Sequence, residues 1–238
     1  GVGLIASAVH ESTTINNTGN LVLKSGDNAN RTTGIKASGA KTTVNMTAGA
    51  ISLEGQGAIG VQASEQGTVN LVGSAIPQFA ANGSGITDQI AFRIIGDGAT
   101  IKTNIAPGTL LDASGERSVL FRIEDGAKQA GSLLMKTSGT GSRGIWATGK
   151  GSNVLAEAGS DFQILGAQAQ GLYVTGGATA TLKQGVSVNL VGDGAVVAEV
   201  DGNEYALDGS ITQTNTGSVI TNEADISSPL NNAKGFIT

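Results

Sequence analysis

The chain has 238 residues, 39% of them apolar, and a formal net charge of −5, so it is long and apolar enough to bury a core, and too apolar and weakly charged for a disordered segment. Gly occurs 37 times but not at every third position, and Pro only 3 times, which excludes collagen, and no Lys/Arg cluster is available to neutralise the phosphates of a nucleic acid. With no Cys and one His there is no disulfide, no thiolate nucleophile and no ordinary zinc site, and no run of 18 apolar residues exists to cross a membrane as a helix.

A degenerate unit organises the sequence: a small or apolar residue, an apolar one, a variable one, then a small or apolar one that becomes Glu199 and Asn222 in the last two of nine units. In chain order it reads Gly3-Leu4-Ile5-Ala6, Gly34-Ile35-Lys36-Ala37, Gly60-Val61-Gln62-Ala63, Ala91-Phe92-Arg93-Ile94 and Leu120-Phe121-Arg122-Ile123. It continues as Gly144-Ile145-Trp146-Ala147, Gly171-Leu172-Tyr173-Val174, Val196-Val197-Ala198-Glu199 and Val219-Ile220-Thr221-Asn222. The starts recur every 23 to 31 residues, room for three short strands and their turns. In the second unit these strands are expected over 34–38, 42–46 and 50–54, and in the sixth over 144–148, 153–157 and 162–165.

Dense β-branched residues and Gly, with no sustained 3.6-residue period, exclude long helices. Neither the Leu-rich consensus of leucine-rich repeats nor the ~40-residue spacing of propeller blades is seen. The fold expected is all-β, a right-handed parallel β-helix of about nine coils of three short strands, forming a single domain over 1–238. Each coil would complete its core only by stacking on its neighbours. The stretch 74–89, with Pro77 and Gly83-Ser84-Gly85, reads as a loop insertion. Gly1 and the closing Gly235-Phe236-Ile237-Thr238 read as cuts through the repeat, as in a piece of a longer protein.

Side chains alternate across a strand, so the third residue of each unit faces outward when the second and fourth face inward. That column contains Arg93, Arg122, Trp146 and Tyr173 in succession, residue types enriched where proteins bind partners. They are the candidate binding residues, although Arg on aromatic rings can also simply shield the sheet. Acidic residues recur after the first strand at Glu65, Asp97, Glu124, Asp125, Asp201 and Glu223. Several sit beside Gly, where Asp serves turn geometry, so no catalytic residues, metal ligands or cofactor are assigned. His10 alone could centre a Ser-His-Asp triad, and its place near the start of the chain suits a structural or surface role.

The phrases Gly60-Val61-Gln62-Ala63 with Gly67-Thr68-Val69-Asn70-Leu71, and Gly171-Leu172-Tyr173-Val174 with 176–182, resemble the pertactin-like passengers of classical autotransporters over nearly the whole chain. The resemblance implies type V export through the outer membrane and display at the bacterial surface or release from it. It also implies non-enzymatic adhesion to a host-cell or extracellular-matrix protein or glycan. The alternatives are a carbohydrate-active β-helix enzyme or glycan binder, and self-association between cells. The family's membrane barrel, an Arg-Gly-Asp tripeptide and the Gly-Asp-Ser-Gly motif of its protease branch are absent from this sequence.

Overall fold

The computed structural model describes residues 1–8 and 11–238, so His10 lies outside the described residues. The chain is a parallel β-solenoid with almost no helix. Its longest sheet stacks nine strands in chain order: Val2–Ser7, Thr33–Ser38, Ile59–Ser64, Ile90–Ile95, Val119–Glu124, Arg143–Thr148, Gln170–Thr175, Val196–Asp201 and Lys234–Ile237. Between successive members the chain runs through two further walls. One stacks Thr13–Asn17, Thr42–Met46, Thr68–Val72 and Thr100–Asn104, then resumes as a separate sheet of Lys128–Gly131, Asn153–Ala156, Thr179–Leu182 and Val219–Asn222. The other pairs Leu21–Leu23 with Ile51–Leu53, and later Leu111–Asp112, Leu134–Thr137, Asp161–Ile164 and Ser187–Leu190.

Stacking in register makes the core a set of columns. Ile35, Val61, Phe92, Phe121, Ile145, Leu172 and Ala198 follow one another along the long sheet, all buried, with Phe92 and Phe121 stacked at 4.8 Å. Opposite them lie Met46, Leu71, Val154, Phe162 and Leu182, in the same apolar cluster. Parallel pairing satisfies the backbone from rung to rung, and apolar burial fills the lumen. The strands expected from the second and sixth units are found within a residue or two of their positions, with Thr42–Met46 reproduced to the residue.

Two units differ from the repeat as read. In the eighth, Leu172 pairs with Ala198 and Tyr173 with Glu199, so the phase is one residue later than expected and Val200, not Glu199, takes the fourth place. An unbroken apolar run from Ala195 to Ala198 gives hydrophobicity nothing to choose a phase by. In the ninth, Val219–Asn222 pairs with Thr179–Leu182 in a side wall, and Lys234–Ile237 supplies the last strand of the long sheet. The displacement comes from residues 202–217, which contain an antiparallel hairpin, Glu204–Tyr205 with Ile211–Gln213, that leaves the solenoid.

Residues 74–89 stay closer to the body than a free insertion would. Gln78 bridges Ser52 as a rung of the third wall, with Leu53 N donating to Gln78 O at 2.9 Å. The buried Gln89 side chain accepts from Ala80 N at 2.9 Å and donates to Leu53 O at 3.0 Å and Gly55 O at 2.8 Å.

At the corner leading into the long sheet, Gly115, Gly139, Gly166 and Gly192 stack on one another. A Cβ on Gly166 would stand 2.2 Å from Gly139 O, and one on Gly192 2.0 Å from Gly166 O. Each of the last three also accepts a turn-closing hydrogen bond three residues on, from Ser142, Ala169 and Ala195. The neighbouring atom is backbone held at the rung spacing, so it cannot yield cheaply. Gly166→Ala is therefore expected to lower stability by about 1 to 3 kcal/mol in thermal or urea unfolding. Gly73→Ala, whose Cβ would meet Asn104 O at 3.6 Å, should change it by less than about 0.5 kcal/mol.

Candidate binding site

The outward column of the long sheet runs Ile5, Lys36, Gln62, Arg93, Arg122, Trp146, Tyr173, Glu199 and Ile237, each paired with the next. The four candidate residues thus occupy consecutive rungs. They are not open to solvent as a row. Arg122 is 2% exposed and Tyr173 7%, because residues 202–217 fold back over them. Tyr205 on the hairpin packs its ring 6.3 Å from Trp146 and 6.4 Å from Tyr173, Arg122 donates to Tyr205 O at 2.6 Å, and Arg31 donates to Leu207 O at 3.0 Å. Leu207 joins Trp146 over a small outer apolar cluster of Ile59, Ile90 and Val119, separate from the lumen.

Beneath this cover cations and rings alternate. The Arg122 guanidinium lies 4.0 Å from the Trp146 ring centre, and Arg143 reaches both Trp146 at 4.8 Å and Tyr173 at 4.3 Å. Trp146 and Tyr173 are 5.2 Å apart, and Trp146 Nε1 donates to Thr175 Oγ1 at 3.0 Å. Such stacking spreads positive charge over π faces while each indole or guanidinium keeps a polar partner.

Glu124 anchors the arrangement. It accepts two hydrogen bonds from Arg93, at 2.7 and 3.1 Å, and one from Arg122 Nε. Burial alone would push its carboxyl up, but the charges of Arg122 and Arg93 and the bonds they donate outweigh it and hold the group below its ordinary 4.5. Burial also pushes the Arg122 guanidinium down, which Glu124 opposes. Breaking one side of such a pair leaves a buried charge without its counterion.

The other acids that recur in the sequence lie in turns or in side-chain pairs. Asp125 and Glu65 adopt left-handed backbone, at φ 52° and 49°, and Gly126 follows Asp125 at φ 90°. Glu65 accepts from Ser38 Oγ at 2.8 Å, Asp97 pairs with Lys128 at 3.2 Å, Glu223 pairs with Lys183 at 2.9 Å, and Asp201 accepts from the Tyr205 hydroxyl. Among the described residues no group of three His, Asp or Glu is placed to hold a metal ion, and no helix is long and apolar enough to cross a membrane.

Arg31, Arg143, Tyr205 and Leu207 escaped the repeat reading. Arg143 was reachable, since the residue just before each small one forms a second outward column: Ile59, Ile90, Val119, Arg143, Gln170, Val196. The hairpin also had a local signal in Asp208-Gly209, where Gly209 takes φ 85° and donates to Ala206 O at 3.0 Å. Nothing local says where that hairpin lands.

Two outcomes follow from this geometry. Glu124→Gln should cost about 3 to 5 kcal/mol, because Arg122 stays buried without a carboxylate. In the parent, the contribution of Glu124 is fully present above pH 4.5 and fades as pH falls through its depressed folded-state value, so the variant should show a flatter acid limb in pH-dependent unfolding. Separately, Leu207→Asp should lift the hairpin and red-shift the emission of the single Trp while far-ultraviolet circular dichroism still reports the solenoid.

No family model, no curated protein and no solved structure matches this chain.

Proposed function

We propose that the chain is a non-enzymatic binding rod, part of an autotransporter passenger exported through the outer membrane and displayed on, or released from, a bacterial surface. In this role it acts as an adhesin toward host-cell or matrix components. The observation that carries the reading is the concentration of large and charged side chains on one outer face of a solenoid. Of the ladder there, Arg93 and Trp146 stay half-buried while Arg122 and Tyr173 lie beneath the hairpin, and Arg31, Arg117 and Arg143 stand at the hairpin's edge. Much of the remaining outer surface is Thr, Ser, Asn and Gly, small polar groups that gain little from being covered. The resemblance of the repeat phrases to pertactin-like passengers points the same way.

A stacked parallel sheet is a stiff support, and the hairpin presents an irregular edge on it where a partner can be discriminated. The purified chain, screened against host-cell surface proteins, matrix proteins and glycans, should give saturable binding to at least one. Trp146→Ala and Arg93→Ala, checked for parental circular dichroism, should weaken that binding by about 1 to 3 kcal/mol, or roughly 5- to 150-fold. Equal binding by both variants and the parent would place recognition elsewhere, and glycan cleavage lost on changing Asp97 or Asp125 would overturn the non-enzymatic reading.

A further inference from the structure

Resting on the reading of the chain as a binding rod, we propose that the cleft between the hairpin and the long sheet takes one oxyanion group, sulfate or carboxylate, carried by an acidic saccharide. The cleft has a volume of about 210 Å³ and is lined by Arg31, Arg117, Arg122 and Arg143 together with Asp88 and Asp208. Glu124, just outside the lining, pairs with Arg122, and Glu116 lies 3.6 Å from Arg117, so the local charge is close to balanced and anion capture turns on which arginines lack a carboxylate.

Internal pairing does not reach every arginine. Arg117 is paired with Asp88 at 2.9 Å and Arg122 with Glu124, whereas Arg31 and Arg143 have no carboxylate partner within 4.0 Å among the described residues. Arg31 spends its terminal nitrogens on the carbonyls of Gly57, Asp88 and Leu207, and its Nε is buried without a partner. Arg143 makes one side-chain hydrogen bond, from Nε to Gln170 Oε1 at 2.7 Å, and rests its flat face on Trp146 and Tyr173. Arg143 therefore lines the cleft held in place by rings and an amide, with no carboxylate in direct contact and the charges of Glu199 and Asp88 acting on it from farther off. A guanidinium kept partly dry without a carboxylate in contact costs folding energy, and an entering anion would recover part of that cost.

The ligand class follows from the lining. A rigid guanidinium fork matches the paired oxygens of a carboxylate or sulfate. The volume falls below the ~300 Å³ at which sites for drug-sized ligands begin, so one ring or group enters and not a folded chain. Asp88 and Asp208 would repel a segment carrying several carboxylates in a row. One anion among neutral hydroxyls meets the arginines while its hydroxyls face the carboxylates and Asn28.

Calorimetric titration of the full chain tests this with four probes: a sulfated disaccharide, an unsulfated uronate disaccharide, its neutral carboxyl-reduced counterpart and an oligoglutamate peptide. Binding is expected for the sulfated probe, the uronate or both, whichever supplies the anion, and not for the neutral sugar. Arg143→Met should lose at least tenfold in affinity while melting at or above the parent's temperature, since it removes an unpaired charge and keeps bulk against the rings. Arg143→Lys, which retains charge without the fork, should fall between the two and guards against a misfolded Met variant. Undiminished binding by both variants, or equal binding of the neutral sugar or the peptide, would overturn the proposal. A receptor that binds parent and Arg143→Met alike would sink this inference while leaving the binding rod standing, and an absence of any ligand in the wider screen would remove both.

Discussion

Everything in this molecule depends on rung-to-rung register. Parallel pairing places each residue of a strand beside its equivalent one coil away, so a property repeated in the sequence becomes a column in space. Ile35, Val61, Phe92, Phe121, Ile145 and Leu172 become a lumen by this means, and Gln62, Arg93, Arg122, Trp146 and Tyr173 become an outer ladder. The same constraint admits only Gly at the corner of Gly139, Gly166 and Gly192, because the carbonyl of the preceding coil occupies the space of a side chain. No single coil could bury its apolar face, so stability and register are one problem.

The outer ladder shows how the constraint turns chemical. Like residues in register bring like charges together, and Arg93 beside Arg122 would repel at the rung spacing. Glu124 lies between them, at the outward position two residues beyond Arg122 on the same strand, and takes hydrogen bonds from both. Trp146 and Tyr173 on the next two rungs replace further cations with π faces, which accept the guanidinium planes of Arg122 and Arg143. The hairpin of residues 204–213 then lowers the local dielectric by covering the set, which strengthens the pairs and raises the cost of any cation left without one. Arg31 and Arg143 are such cations.

Inward positions were legible because their pattern is forced: apolar second and small or apolar fourth residues recur, and the strands follow. The slip at Ala198 occurred where four consecutive apolar residues, Ala195 to Ala198, carried no alternation to read. The misplacement of Val219–Asn222 had a different cause, since a chain that leaves the solenoid at Asp201 returns at a side wall and the repeat spacing contains no record of the detour. The outward ladder was legible as a column but not as a covered one. What covers it is a contact between Tyr205 or Leu207 and residues up to 176 positions away, decided by tertiary packing and by no local pattern.

The seating of the hairpin on the ladder is thus the central structural claim, and it can be measured directly. The chain has a single Trp and only two Tyr, so aromatic cross-relaxation in the folded protein is readily assigned by nuclear magnetic resonance. With ring centres 6.3 Å apart, the Tyr205 ring protons should show nuclear Overhauser contacts to the Trp146 indole, lost in Leu207→Asp. Contacts from Trp146 to Tyr173 alone, with Tyr205 showing the narrow lines of a free side chain, would mean that the ladder is open to solvent and that the covered cleft does not exist.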